Sequence, residues 1–535
     1  MVYLKSPYPP LPTIPDANVH HALFNAPGQE KVPDYVVQID GTTGRKRTYY
    51  EFRDLVYDGA TALASPVSVG GLGLDVTVPI ALLSAFSTPR ELVHLLRSSK
   101  TTVLFVEPAL LPKALEAAKE VGLPESSIHI LEGHAQGRKS FQELVAHVRK
   151  SALQRIPPKP ATKKTRHVLT WQYLGFDLHG NNSENDRRQV SGGQSEQIIE
   201  PPKQIPVFLL FLPLHHSFGL YFSVLRPFSI PTTTVIIPRW SVKAIMQAVP
   251  KYRVQLMPLI PSAMHQLVNH PDFKRTDWSS MIGVFAGAAY TPPALADSFK
   301  QYVKGVKDIV EGYGASEMTL SIARKCVPGC FGLAFPPGST GVLGPGIEAR
   351  IVRPDGTEAD YNEPGELLVR GESMSPGYYN NEKATRETFV DGWLRTGDTL
   401  KADKDGMLYF VDRAKDTLKV SGTQVSPTEI EEVIRAQSDK LVDDVCVAGV
   451  SGGRTSDEKL PRAWIVLSEA GKRRGAEQSL RTIEEWTKKN LSSYKWLRGG
   501  MEVVDKIPKN PTGKVMRRIL QEQYEQAHSS SKAKL

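Results

Sequence analysis

A chain of 535 residues exceeds what one hydrophobic core supports; cores stop growing at roughly 250–300 residues, so two or more domains are expected. With 40% apolar and 23% charged residues the composition excludes disordered and fibrous classes, and the net charge of +9 is dispersed apart from Lys150, Lys159, Lys163, Lys164 and Arg166, a solvated surface rather than a nucleic-acid footprint. Cys326, Cys330 and Cys446 supply neither an even disulfide set nor four zinc ligands, which points to a reducing compartment.

The N-terminus has four prolines by position 12 and no apolar run behind its early lysine, which argues against a secretory signal. Strands are predicted over Tyr35–Ile39 and Thr48–Tyr49, joined at Gly41-Thr42-Thr43-Gly44 and followed by a helix through Leu63. That turn has the residue types of a phosphate loop without the GxxxxGKS/T spacing, so its glycines are assigned to a hairpin. Pro66–Thr77 is rich in Val and Gly but has no period. A helix over Pro89–Ser99, a strand over Thr101–Glu107 and a helix over Leu110–Glu120 then alternate as in an α/β layer. From 159 to 204 the periodicity vanishes into polar runs such as Asn181–Arg188, and a disordered insertion or an aberrant stretch is expected.

From Ile205 the alternation is regular. Strands over 205–214, 233–237, 254–260, 281–285 and 308–311 alternate with helices over 216–225, 242–249, 262–268 and 293–302. Repeated βα units with continuous apolar strands imply a parallel sheet covered on both faces, with ligands beyond the carboxyl ends of its strands. Phe285–Tyr290 and Gly312–Thr319 are therefore expected side by side. The most apolar run, Ile205–Leu214, is ten residues long with two prolines, too short to span a bilayer.

After Pro337, short strands and Gly-bearing turns signal an antiparallel or barrel-like unit. Asp412–Gln424 then gathers charges of both signs beside Gly422 between two differently built halves; it reads as a hinge carrying catalytic groups, though such a string standing alone is more often a polar surface hairpin. Ser426-Pro427-Thr428-Glu429 is a capping box ahead of the apolar stripe Ile430, Val433 and Ile434. Strands over 443–450, 462–467 and 502–504 and a helix over 480–491 complete a small α+β domain. The final Ala533-Lys534-Leu535 has the small-basic-Leu form read by the peroxisomal import receptor, so a peroxisomal location is expected, with the cytosol as fallback.

Six stretches fall in a fixed order: Leu212–Gly219, Gly287-Ala288-Ala289, Gly312–Glu317, Gly392–Asp398, Asp412–Gln424 and Pro508–Lys514. Together they resemble the adenylate-forming superfamily of acyl-CoA synthetases, hydroxycinnamate-CoA ligases, firefly luciferase and peptide-synthetase adenylation domains. The resemblance implies an α/β fold: a large N-terminal AMP-binding domain, 1–412, of doubly wound βα sheets plus a small β-barrel-like unit. A small mobile α+β domain, 413–535, follows as a catalytic lid hinged near Lys415. It also implies an ATP-, Mg²⁺- and CoA-dependent ligase that adenylates a fatty or aromatic acid and passes the acyl group to CoA.

The resemblance likewise assigns roles. Lys514 is the cation offered to the adenylating transition state, where fixed charge in a dry site counts most, and Lys419 is its counterpart in the thioester-forming orientation. His216 gates the carboxylate pocket, while His215 stands where the family has a bulky apolar or aromatic residue. Glu317 is a hard oxygen ligand for Mg²⁺. Tyr313 lies on the adenine, Gly287, Ala288 and Ala289 leave room for the base edge, and Ser316, beyond Gly314 in the same nucleotide loop, sits beside the phosphates. Asp398 and Arg413 reach the ribose, although Thr-Gly-Asp is also a common turn string. Gly422 and Gln424 lie along the CoA path. One departure stands out: the Gly- and Thr-rich phosphate loop ending in Pro-Lys-Gly is not found ahead of His216, and Ser191-Gly192-Gly193 lacks its threonines and lysine. Weakened ATP binding follows from it. A catalytically impaired relative therefore stands beside the ligase reading, as does an adenylating enzyme with a carrier protein or oxygen as acceptor.

Overall fold

Apolar strands without polar alternation need cover on both faces, and the central sheet supplies it. The structure, a computed structural model, describes residues 3–9, 23–24, 29–74, 80–156, 204–287, 291, 293–325, 333, 335–336, 338–353, 355–413, 418–420, 423–425, 427–451, 458–508 and 517–532. Six parallel strands run side by side in the order Ile309–Tyr313, Gly283–Ala286, Leu256–Leu259, Val207–Leu210, Thr233–Ile236 and Val36–Asp40. Antiparallel strands close the two ends: Lys46–Thr48 beside Val36–Asp40, and Ala323–Arg324 with Val342–Leu343 beyond Ile309–Tyr313.

Successive residues of one strand feed the two faces. Leu209 joins Met257, Leu259, Val284 and Ile309 in a core beneath the helices Val242–Tyr252, Pro261–Val268 and Pro293–Lys300. Its neighbours Phe208 and Leu210 join Val37, Tyr49, Tyr221, Phe222 and Phe228 on the opposite face. The predicted hairpin at Gly41–Gly44 is present: Asp40 Oδ1 accepts from the Thr42 and Thr43 amides at 2.8 and 3.1 Å. A Cβ at Gly41 would fall 2.3 Å from Ile237 Cδ1, so close approach to the neighbouring strand accounts for that glycine. Thr48, predicted as strand, also caps the helix Tyr49–Ala64 through a reciprocal box with Glu51.

The antiparallel unit takes the order Tyr3–Lys5, Ile347–Val352, Gly365–Gly371, Trp393–Ala402 and Phe389–Val390, with Leu408–Arg413 paired to Trp393–Ala402. The C-terminal unit pairs Leu418–Val420 with Thr423–Val425, then sets Val442–Val450, Leu460–Leu467 and Met501–Val503 in a three-stranded sheet. Ile430, Val433 and Ile434, the stripe read from the sequence, are buried in its core with Val445, Val447 and Ile465. Cys446 is buried on the other face of that sheet. Among the described residues no helix is long and apolar enough to cross a membrane.

The two halves meet at the helix Pro89–Ser99. Its capping-box carboxylate, Glu91, accepts from the Thr88 amide at 2.8 Å and also takes Lys495 Nζ at 2.6 Å and the Ser492 hydroxyl, both from the C-terminal unit. Lys495 reaches Glu429 as well, at 2.8 Å.

Candidate functional site

The carboxyl ends of two neighbouring parallel strands, Gly283–Ala286 and Ile309–Tyr313, bring the expected loops together. A Cβ on Gly287 would lie 3.6 Å from both the Gly312 carbonyl oxygen and the Phe218 ring, so this is where the two strand ends and the helix after His216 converge. Beyond Tyr313 the chain folds back sharply. A Cβ at Gly314 would sit 1.6 Å from the Leu320 carbonyl oxygen, which no side chain tolerates. Ser316–Met318 form one 3-10 turn, and Met318 is buried in the core of the antiparallel unit. Thr319 then adopts φ +70°, and the Leu320 amide donates to the Met318 carbonyl at 2.8 Å. A β-branched residue in this region stores on the order of 1–3 kcal/mol of strain, held here by the surrounding contacts.

Tyr313 and Asp398, assigned separately from the sequence, touch: the phenol donates to Asp398 Oδ2 at 2.8 Å. Asp398 is 4% exposed. It lies within the strand Trp393–Ala402 rather than in a turn, and Gly397, with φ +68°, bends that strand just before it. The Asp398 amide donates to Thr396 Oγ1, whose hydroxyl donates to the Leu367 carbonyl. In the ladder Asp398 stands opposite Arg413, so the pair expected at the ribose shares one register position.

His216 caps the four-residue helix Ser217–Leu220, its Nδ1 accepting from the Phe218 amide at 3.3 Å. That bond places the ring proton on Nε2, where it can be donated. Burial, and then the neighbouring His215, hold the His216 pKa below its usual value, so the imidazole is neutral at pH 7. His215 is exposed by comparison. The helical path continues as a π turn, Tyr221–Leu225, and then Arg226–Ser229, longer than the predicted 216–225. Pro227 lacks the N–H that a regular α-helix would require there.

Glu317 has a partner that the sequence reading did not identify. Tyr378 Oη donates to Glu317 Oε1 at 2.6 Å. Burial first, then the bond to and charge of Glu317, push the Tyr378 pKa up to about 12, which keeps the phenol protonated. The second Glu317 oxygen accepts no hydrogen bond among the described residues. No three His, Cys, Asp or Glu side chains gather as a metal cage among those residues. Mg²⁺ needs no such cage, since it commonly takes one or two carboxylates and completes its shell with phosphate oxygens and water. An open Glu317 oxygen fits that mode.

The remaining assignments divide as follows. Gly287, Tyr313, Gly314, Ser316, Glu317 and Asp398 are described and lie around the strand ends. Arg413, Lys419 and Gln424 are placed by their backbones in strands, with their side chains outside the described residues. Ala288, Ala289, Lys415, Gly422, Lys514, the stretch 159–203, Cys326, Cys330 and the tripeptide 533–535 also lie outside them. Tyr378 had one signal in the sequence, an aromatic pair in a Gly- and Pro-bearing polar loop, Pro376-Gly377-Tyr378-Tyr379.

Residues 184–379 match the family model described as AMP-binding enzyme, and residues 429–514 that described as AMP-binding enzyme C-terminal domain; together the matches take in more than half of the chain. The chain is 28% identical to acyl-CoA synthetase 7 of Caenorhabditis elegans, over 90% of this chain and 86% of that protein. It is 29% identical to 4-coumarate–CoA ligase-like 4 of Oryza sativa subsp. japonica, over 96% and 93%. Among solved structures it overlays the amide bond synthetase McbA from Marinactinospora thermotolerans with a TM-score of 0.71 and 19% identity, over 95% of this chain and 99% of that one, a likeness of fold.

Proposed function

This chain belongs to the AMP-binding enzymes, and on that premise we propose that it is an ATP-dependent acid–thiol ligase acting on a fatty or aromatic carboxylic acid. The observation that carries the reading is the Tyr313–Asp398 hydrogen bond at the ends of the parallel strands, with Glu317 four residues beyond Tyr313. Such strand ends are where open α/β sheets bind ligands. The curated relatives named as acyl-CoA synthetase and 4-coumarate–CoA ligase support CoA as the acceptor.

The proposed chemistry has two displacements. A substrate carboxylate oxygen attacks the α-phosphorus of ATP, the bond to the bridging oxygen breaks, and pyrophosphate leaves. The CoA sulfur then attacks the acyl carbon, AMP leaves with its oxygen, and the thiol proton passes to solvent. Tyr313 presents a ring to the adenine while its hydroxyl holds Asp398 toward the ribose. Neutral His216 offers Nε2–H to the carboxylate without the desolvation cost of a buried cation. Glu317 would hold Mg²⁺, which would neutralise phosphate charge when bound. Lys514 and Lys419 carry the cationic roles of the two steps.

Pyrophosphate exchange into ATP, driven by a panel of fatty and aromatic acids, tests the adenylation, and thioester formation with CoA tests the acceptor. Exchange that disappears in Lys514→Ala supports the enzyme. A second reading, a catalytically silent relative, is favoured by the missing Pro-Lys-Gly loop ahead of His216; no exchange with any acid would select it. Adenylation followed by transfer to an amine or carrier protein, but not to CoA, would keep the first step and overturn the acceptor.

A further inference from the structure

We infer that Tyr378 is a positioning residue for the Glu317 carboxylate, fixing which of its oxygens is free to face a bound metal–nucleotide. The inference rests on the reading of Glu317 given above, and concerns a residue that none of the six sequence stretches contains. Three hydrogen bonds join the loop after Tyr313 to the loop after Gly371. Ser375 N donates to the Glu317 carbonyl at 2.8 Å, Thr319 Oγ1 donates to the Ser373 carbonyl at 3.1 Å, and Tyr378 Oη donates to Glu317 Oε1 at 2.6 Å. The first two fix the backbone on either side of Met318, including the strained Thr319; only the third acts on the carboxylate.

Tyr378 is itself braced. Its amide donates to Thr385 Oγ1 at 2.9 Å, and its ring stands edge-on to Phe389 at 5.7 Å. Gly377, at φ +145°, passes so close to Thr385 that a Cβ would meet its Cγ2 at 2.5 Å. The phenol is thus aimed by the helix Glu382–Thr388 that follows it, and a carboxylate with one oxygen so engaged can rotate little. A carboxylate that ligates a metal gains orientation from such an outer hydrogen bond, and losing one costs metal affinity about 10–100-fold.

The test uses the full chain with Mn²⁺ and α,β-methylene ATP, following free Mn²⁺ by electron paramagnetic resonance. In Tyr378→Phe the Mn²⁺ dissociation constant should rise about tenfold or more, while the thermal midpoint stays near wild type because the ring and its packing remain. Glu317→Gln should lose Mn²⁺ binding, and adding Tyr378→Phe to it should change nothing further. Wild-type Mn²⁺ affinity in Tyr378→Phe overturns the inference and leaves Glu317 in its role. A Tyr378→Phe effect that persists in the Glu317→Gln background overturns it too, because the phenol would then act by another route. Wild-type affinity in Glu317→Gln, or a wild-type chain that binds no Mn²⁺ with the analogue, overturns the Glu317 reading and the inference together.

Discussion

Replacing Lys495 by Met should loosen the C-terminal unit from the helix Pro89–Ser99. Lys495 Nζ lies 2.6 Å from Glu91 and 2.8 Å from Glu429, whose side chains are 9% and 39% exposed, against 11% for Lys495 itself. Breaking a buried pair from one side costs roughly 3–5 kcal/mol. Glu429 is exposed enough that its share is about 0–1 kcal/mol. Glu91 keeps the Ser492 hydroxyl and the Thr88 amide, which hold part of its charge at about 1 kcal/mol each, so a net loss of about 2–3 kcal/mol is expected. Calorimetry should show a transition lowered by ~5–10 °C. Glu91→Gln is the second arm, because Gln still completes the capping box with Thr88 and removes only the charge. A double-mutant cycle should return a coupling of about 2 kcal/mol, and additivity within about 0.5 kcal/mol would refute the reasoning. The pH dependence has two limbs. Burial pushes Glu91 up, but the bonds from Lys495, Ser492 and Thr88 outweigh it and leave its pKa below 4.5, so its contribution is present above pH 4.5 and is lost as pH falls through the folded value. Burial pulls Lys495 down, but Glu429 and Glu91 hold it above 10.5, so its contribution is present below pH 10.5 and is lost as pH rises through the folded value.

Tyr313→Phe removes the donor to a buried carboxylate and should cost about 1–3 kcal/mol of stability, measured by denaturant unfolding, and raise the KM for ATP more than it lowers kcat. Gly314→Ala puts a methyl where Leu320 O already lies, so adenylation should be abolished while the C-terminal unit retains its amide-exchange protection. His216 has a folded pKa depressed below 6.5, first by burial and then by His215; the unfolded chain therefore binds the extra proton first, and stability should fall as pH drops below 6.5. That acid-side loss should shrink in His216→Gln, as read by urea midpoints at pH 7 and pH 5. If Lys415 is the hinge, Lys415→Pro should spare one half-reaction and block the other in separate exchange and thioesterification assays.

The central sheet was legible because its signal is local. Val207–Leu210, Leu256–Leu259 and Gly283–Ala286 are short apolar runs with Pro or Gly close by, and their length and those flanking residues select a doubly covered strand over a buried helix. The expected bounds of these strands fall within a few residues of the observed ones, and 205–214 is too long because Pro206 and Phe211–Leu214 are apolar or ring-bearing without joining the ladder. The helix Phe141–Lys150 is not among the expected elements although the sequence carries its signal, a Ser140–Glu143 box ahead of Leu144, Val145 and Val148. Tyr3–Lys5 offered no signal: one buried side chain in three residues cannot establish a period, and its partner strand lies more than 340 residues away.

The site separates along the same physical line. Tyr313, Glu317 and Asp398 could be named because each stands in a short string that resembles the adenylate-forming superfamily, such as Gly312–Glu317 with its Gly314, where a Cβ would meet the Leu320 carbonyl. Their mutual contacts could not be, since a hydrogen bond between residues 85 apart in sequence, or 61 apart for Tyr378 and Glu317, has no periodicity to announce it. Glu91 shows the limit most sharply. Locally it is a capping-box residue, accepting from the Thr88 amide. Yet a capping carboxylate has a second oxygen, and only the fold determines what it meets. Here it meets a buried lysine 404 residues away, which turns a helix cap into one of the contacts that tie the C-terminal unit to the rest of the chain, beside the Thr88–Asn490 and Ser492–Phe86 hydrogen bonds.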